Sequence, residues 1–338
     1  MTLKDVADKA GVSMMTVSNV VHGKTSRVSA KTIERVNAII EECGYVPNLS
    51  ARSLSNKSSN IIGIILSIYE EETTENFLEN PYISTMIGTI EQELRGNGYY
   101  TMVRSISHES DITALLKNWN VEGIIFLHPD FEAYLESFMQ TASVPIAVFD
   151  SSLASPELIN ICSDDQKGLY LSTKYMINHG HTHIAFVADY EGNHILTGRF
   201  QGYRRALDES GISFRPEYVL TYPPSYEGGI AAGKKIASMN HLTAAVATAD
   251  ICAIGVMEGA RLGGLRVPAD LSVIGYDNLA LCQYTMPKLT SISQDIPQKA
   301  RLATRLLLEK ICTGKTNGPC QITMDVDIVE RQSVISLF

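Results

Sequence analysis

No stretch of this 338-residue sequence stays apolar for long. The longest runs, such as Ile61–Leu66 and Gly123–Leu127, fall far short of the roughly 18 consecutive apolar residues a membrane-spanning helix requires. The opening residues, MTLKDVADKA, are already charged and amphipathic, so no secretion signal is read there. The six cysteines (Cys43, Cys162, Cys252, Cys282, Cys312 and Cys320) contain no C-x-x-C pair, which points to reduced thiols in a cytoplasmic protein rather than a disulfide framework. A G-x-S-x-G elbow or comparable nucleophile signature is also missing. The expectation is a non-enzyme without cofactor or metal.

What is present is ordinary soluble composition, 45% hydrophobic and 19% charged, on a chain long enough for about two domains. The formal net charge is -9, but it is unevenly placed. Residues 1–60 carry eight Lys/Arg against five Asp/Glu, and the remainder twenty against thirty-two. A weakly basic head on an acidic body directs attraction for polyanions to the head.

The head reads as three helices. Leu3, Val6, Ala7 and Ala10 recur at helical spacing and Gly11 breaks the run. Ser13 is placed to cap a second helix from Met14 to about Val21, which would turn Val17 and Val20/Val21 inward while Met15, Ser18, Asn19 and His22 share the outer face. Ser29 caps a third helix whose stripe is Ile33, Val36 and Ile40, ending at Gly44. The first pair, joined by a tight glycine turn, forms a helix-turn-helix. Any small helical domain can contain such a turn, so this alone leaves DNA binding open. A polar, Ser-rich linker follows, YVPNLSARSLSNKSSN, with helix formers between Pro47 and Leu54 that are too few to be stable alone.

Beyond the linker, short apolar runs alternate with helical patterns: IIGIIL, a helix around Thr85–Arg95, YYTMV, a helix from Asp111, EGIIFL, a helix around Phe131–Met139, and PIAVFD. A second set follows, with helices over Asp165–Asn178 and from Gly198, Tyr226 and Ile251, and strands HIAFVAD, AAVATAD and LSVIGYD. The alternation predicts doubly wound parallel sheets in two lobes. Ligands of such sheets sit beyond the carboxyl ends of the strands, near Asp150, Asp189, Asp250 and Asp277.

Three strings suggest other chemistry. GGIAAGKK (Gly228–Lys235) imitates a phosphate-binding loop, but Lys235 stands where Ser/Thr should hold magnesium and no apolar strand precedes it. HGHTH (His179, His181, His183) lies at the entry to a strand with no nearby cysteine or carboxylate at a spacing usual for a metal. EEETTE (Glu70–Glu75) reads as a solvated loop.

The strings LKDVADKAGVSMMTVSNVVHG, VSAKTIERV and YVPNLSARSL, in this order and spacing, resemble the headpiece and hinge of the LacI/GalR family of bacterial transcription regulators. NHGHTHIAFV, GRFQGYRRAL, ADLSVIGYDN and PKLTSISQD extend the resemblance over essentially the whole chain. It implies a small all-α helix-turn-helix DNA-binding domain (1–46), a hinge helix and linker (47–59), and an α/β two-lobed periplasmic-binding-protein-like domain (60–338). Lobe 1 would comprise about 60–161 and 295–319, lobe 2 about 162–294 and 320–338. It further implies a cytoplasmic homodimeric repressor on a pseudo-palindromic operator, controlled by a small molecule, most simply a sugar or sugar derivative.

By the same resemblance Met14, Met15 and Asn19 would read bases. Thr16, Ser18, Ser29 and Asn48 would hold phosphates, Leu54 would wedge into the minor groove, and Ser13, His22 and Arg52 would complete the DNA-binding set. Effector contacts would come from Asp150, Arg199 and Asp277, with Asp164 and Asp250 as weaker candidates, since an aspartate at a helix start can simply cap it. The chain departs from the family pattern at Ala249, where several sugar-binding members have asparagine, and at Pro224, where an aromatic is common. The competing reading is a two-lobed solute-binding protein or enzyme without a DNA-binding role.

Overall fold

The computed structural model describes residues 2–21, 23, 25–45, 59–67, 77–106, 120–127, 132–239 and 241–338. The expected helix from Asp111 and the acidic segment 70–75 lie outside them. The chain divides into two compact units, Met1–Asn60 and Ile61–Phe338.

In the first unit, α1 (Leu3–Ala10), α2 (Met14–Val21) and α3 (Ala30–Cys43) surround one small core. Thr2 and Asp5 close a reciprocal capping box on α1, and Gly11 ends it at φ 61°, a left-handed conformation that glycine adopts without strain. Val6, Val17 and Val36, one from each helix, are fully buried. Each contributes roughly 1.5–3 kcal/mol by leaving water, which is how so short a sequence closes a core.

The second unit holds two six-stranded sheets. The first runs in the order β11-β5-β4-β3-β1-β2, from β1 (Ile61–Ser67), β2 (Tyr100–Ile106), β3 (Gly123–Leu127), β4 (Ile146–Phe149), β5 (Ile159–Ser163) and β11 (Gln321–Met324), all parallel. The second runs β12-β10-β9-β8-β6-β7, from β6 (Ile184–Val187), β7 (Val219–Leu220), β8 (Ala244–Ala247), β9 (Ser272–Asp277), β10 (Thr290–Ser293) and β12 (Asp327–Val329), with only β12 antiparallel. Helices cover both faces of each, as continuous burial along strands such as β3 and β9 requires. On the first sheet, α4 (Pro81–Gly96) and α10 (Ile296–Thr313) pack one face and α5 (Glu132–Thr141) the other. On the second, α6 (Asp165–Asn178) and α7 (His194–Glu209) oppose α8 (Tyr226–Ala237) and α9 (Asp250–Leu262).

The chain crosses between lobes after Ser163, after Ser293 and after Met324. The lobe limits therefore differ from those expected. β5 continues to Ser163, past the anticipated break at 161, and 320–324 belongs to the first lobe because β11 pairs with β5 through Gln321–Asn160 to Met324–Ser163. From the antiparallel strand β12 onward the chain lies on the second lobe as expected, with Ser333 on Val273 and Ile335 on His181.

The GGIAAGKK string lies in α8, where its glycines are packing devices. A Cβ on Gly229 would stand 2.2 Å from the Cys252 carbonyl oxygen, and one on Gly233 2.3 Å from that of Val256; Gly255 and Gly259 face α8 as closely from α9. Two helices approach backbone to backbone there. Of the HGHTH histidines, His181 is buried, its ring nitrogens 3.0 Å from Thr243 Oγ1 and 3.0 Å from the Ile335 carbonyl oxygen. Burial pushes its pKa down. Among the described residues no cluster of three metal-ligating side chains occurs.

Candidate functional site

In the headpiece, the α2 face opposite Val17 and Val20 presents Met14, 53% exposed, and Met15, 72% exposed, with half-buried Ser18 and Asn19 beside them. Adjacent methionines held this far into water form an apolar contact surface. The Ser13 hydroxyl accepts the Thr16 N–H at 3.1 Å and pairs with Thr16 Oγ1 at 2.9 Å; Ser29 does the same with Thr32, at 3.3 and 2.8 Å. Each hydroxyl pair shares one of its two protons internally, which leaves one to donate outward. His22, Asn48, Arg52 and Leu54 lie outside the described residues.

In the second unit, the carboxyl ends of both sheets open on a cleft of about 1030 Å³, counting its mouth. Asp150 follows β4, Asp277 ends β9, and Arg199 projects from the second turn of α7. All three line the cleft, together with Gln294 at the second crossover. The rest of the wall is largely apolar: Tyr82, Ile83, Met86, Leu127 and Phe149 from the first lobe, Ile195, Leu196, Pro224, Ile251 and Leu279 from the second. Asp150, Asp277 and Asn278 have positive φ values of 53°, 117° and 54°. Non-glycine residues hold such conformations only where their surroundings enforce them. Ser163 N–H donates to Asp150 Oδ1 at 3.0 Å, and Asn278 N–H to Ser291 Oγ at 3.0 Å.

Arg199 is fixed from three sides. Nε and Nη2 each lie 2.7 Å from Asp165 Oδ1, Nη1 donates to the Thr248 carbonyl oxygen, and Cζ stands 3.6 Å from the centre of the Tyr276 ring. Burial works against the charge, but Asp165, Tyr276 and Asp277 together outweigh it, and the guanidinium titrates above its ordinary range. Asp165 is itself raised by burial, with Arg199 opposing. The Tyr276 hydroxyl also donates to Asp165 Oδ1, at 3.1 Å.

Asp277 belongs to a network that spans both lobes. Its Oδ1 accepts from Gln294 Nε2 at 2.6 Å; Gln294 Oε1 accepts from Ser163 Oγ at 2.8 Å and from Lys299 Nζ at 3.2 Å. Lys299, on α10, is fully buried. Its ammonium donates to Asp150 Oδ1 and Oδ2 at 2.7 and 2.5 Å and to Ser163 Oγ at 2.9 Å. Burial and the nearby charge of Asp250 push the Asp277 carboxyl up to about 8, with Arg199 and Gln294 acting against them. It is mainly protonated at neutral pH and can donate as well as accept. A further link between lobes is the His194 ring, whose Nε2 lies 2.7 Å from the Asp150 carbonyl oxygen and so donates to it.

Two expected contacts do not face the cleft. Asp164 caps α6, its Oδ1 accepting the Lys167 N–H at 2.9 Å. Asp250 is fully buried beneath the wall; Oδ1 accepts from Ser291 Oγ at 2.5 Å and Oδ2 from the Leu279 N–H at 2.7 Å. Burial raises it to about 6 against these hydrogen bonds. Both carboxyls shape loops. Ala249 and Pro224 do line the cleft, so the departures noted in the sequence are departures in its wall.

Lys299, Gln294, Asp165 and His194 escaped the sequence reading. A signal for Lys299 exists: it shares the apolar face of α10 with Ile296, Ala300, Ala303 and Leu307, a position where a lysine needs a partner.

Compared with known proteins, residues 2–48 match the model of bacterial regulatory proteins of the lacI family, and residues 173–334 that of the periplasmic binding protein-like domain. The "HTH-type transcriptional repressor PurR" of Vibrio vulnificus (strain CMCP6) is 32% identical over 98% of both chains. Among solved structures, the lac repressor dimer bound to operator and the anti-inducer ONPF superposes with a TM-score of 0.85 at 27% identity over 99% of each chain. The complex of the transcriptional regulator CelR with cellobiose gives 0.72 at 26% identity, covering 98% of this chain and 99% of that one.

Proposed function

Because this chain belongs to the lacI family of bacterial regulatory proteins, we propose that its cleft is the effector site of a cytoplasmic homodimeric repressor reading a pseudo-palindromic operator. The chain is a DNA-binding transcriptional repressor and not an enzyme. The observation that carries the effector reading is the convergence of Asp150, Arg199 and Asp277 on one cavity between the strand ends of two lobes.

The effector is a small polyhydroxyl compound of the sugar class. Asp277, able to donate and accept, suits hydroxyl groups, and a structural neighbour is a regulator in complex with cellobiose. The largely apolar wall, with Tyr82 and Phe149, favours a second reading, a planar nitrogen heterocycle held between hydrophobic faces. Either ligand acts by binding one arrangement of the lobes more tightly than another, an effect of about 1–3 kcal/mol in typical allosteric systems. A thermal-shift screen of mono- and disaccharides, phosphosugars and purines tests both readings, since a ligand of the folded state raises Tm. Asp277→Ala, which leaves a ligand hydroxyl and the Gln294 amide without their partner, should reduce the shift; an unchanged shift in that variant refutes the site.

A further inference from the structure

The two fixed cations at the cleft floor are both occupied from within. Arg199 is paired with Asp165, and the Lys299 ammonium lies across both carboxylate oxygens of Asp150. Lys299 is the more unusual, because a lysine side chain at 0% exposure is rare unless its charge is met. Here four oxygens meet it, two from Asp150 and one each from Ser163 and Gln294.

We propose that Lys299 is the specificity-determining residue for the charge of the effector: its ammonium fills from inside the protein the place a ligand cation would take on Asp150, so the cleft accepts only an uncharged molecule. The inference rests on the reading of the cleft as an effector site. Asp150, saturated by Lys299 and the Ser163 N–H, is then a positioning residue whose left-handed backbone frames the wall. Among the described residues no unpaired cation lines the cleft for a phosphate or carboxylate, and the Asp150 carboxylate is closed to an amine by Lys299. The remaining acid, Asp277, has no cation beside it, but it accepts from the Gln294 amide and burial favours its protonated form, so it presents no fixed charge to an amine.

Truncating the lysine tests this without knowledge of the effector. Lys299→Ala leaves a cavity ending at an unpaired Asp150, so n-propylammonium chloride, which matches the three carbons and the nitrogen removed, should raise its Tm saturably above an equal concentration of sodium chloride, whereas 1-propanol should not. The wild type should show no such gain, and adding Asp150→Asn to the variant should remove it. Lys299→Met serves if the alanine variant does not fold: it keeps the volume and frees Asp150, and the smaller methylammonium ion is then the probe. Equal gains from the alcohol and the ammonium ion, a gain that survives Asp150→Asn, or a gain in the wild type each overturn the proposal. An effector from the ligand screen that carries net charge at neutral pH also overturns it. Loss of the effector reading itself would be visible separately, as a ligand shift unaffected by Asp277→Ala.

Discussion

Replacing Arg199 by alanine should damage the protein before it damages recognition. Arg199 is 8% exposed, and loss of its guanidinium removes two N–H contacts to Asp165, one to the Thr248 carbonyl and a cation–π contact with Tyr276. What remains is a carboxylate at the mouth of α6 with one hydroxyl donor, Tyr276, in a site largely shielded from solvent, the Asp165 side chain being 14% exposed. Breaking a buried ion pair from one side costs about 3–5 kcal/mol, because the surviving charge is left unmet. For a unit of this size each kcal/mol moves Tm by about 2–4 °C, so the transition of the second unit should fall by roughly 6–20 °C. Circular dichroism through the melt reads it.

The cause is separable by a double-mutant cycle. Asp165→Asn in the Arg199→Ala background removes the stranded charge and should recover at least about 1 kcal/mol, so the double variant melts above the single one. A loss below about 1 kcal/mol for Arg199→Ala, or a double variant no more stable than the single, refutes the argument that Asp165 makes the arginine indispensable. Ligand binding by Arg199→Ala therefore has to be measured well below its own Tm.

Other consequences follow from the packing and the charges. Gly229→Ala drives a Cβ to 2.2 Å from a backbone oxygen of α9, so α8 must separate from it, and soluble yield and Tm should both drop, whereas Gly192→Ala, with nothing within 4 Å but a φ of 78°, should lose much less. The folded pKa of Asp277, about 8, stands above its ordinary 3.8, so the folded chain holds a proton the unfolded chain has released; this contribution is complete below pH 4 and lost as pH rises toward 8. Asp277→Asn should flatten the fall in Tm between pH 5 and 8, and an unchanged slope rules out that assignment. Asp250→Ala should lower Tm and leave the charge preference of the cleft unaltered, as thermal shifts with the screened ligands can establish. Asn19→Arg should move selected operators from A toward G at one symmetric pair of positions, since asparagine grips adenine and arginine guanine; an unchanged motif means Asn19 reads no base.

The sequence carried the fold through local signals and lost it where pairing is remote. Helix starts were legible wherever a cap could be named, as at Ser13 and Ser29. The start of α7 at His194 rather than Gly198 had a comparable signal in Asn193, whose side chain accepts the Leu196 N–H at 3.0 Å. β11 could not be assigned to a lobe, because its ladder joins residues 161 positions apart and a short strand bears no mark of its partner. The two aspartates of SDDQKG show the limit most sharply. One step along a helix start is about 100° of rotation, enough to turn Asp164 to the cap and Asp165 onto Arg199. Sequence reasoning held Asp164 as a weaker effector contact because an aspartate there can simply cap the helix, as it does, and missed the counter-ion.

The network at the cleft floor bears on how a ligand can act. Arg199, Asp150 and Asp277 are not vacant hooks; each already holds an internal partner, and two sit beside strained backbone. A ligand hydroxyl that takes Asp277 from Gln294 exchanges one hydrogen bond for another, and such an exchange is worth little in itself. The apolar wall, which comes from both lobes, must then supply most of the binding energy and draw the lobes together. The polar exchange does a different task. Gln294 stands at the second crossover and shares Lys299 with Ser163 at the first, so releasing it from Asp277 disturbs two of the three strands of chain between the lobes at once. One or two hydrogen bonds redistributed at a crossover, about 1 kcal/mol each, match the size of a typical allosteric coupling. On this account Gln294→Leu should leave the ligand-induced rise in Tm largely intact while weakening the effect of ligand on operator affinity, measured by gel retardation with and without it. Equal loss of both would assign Gln294 to binding alone.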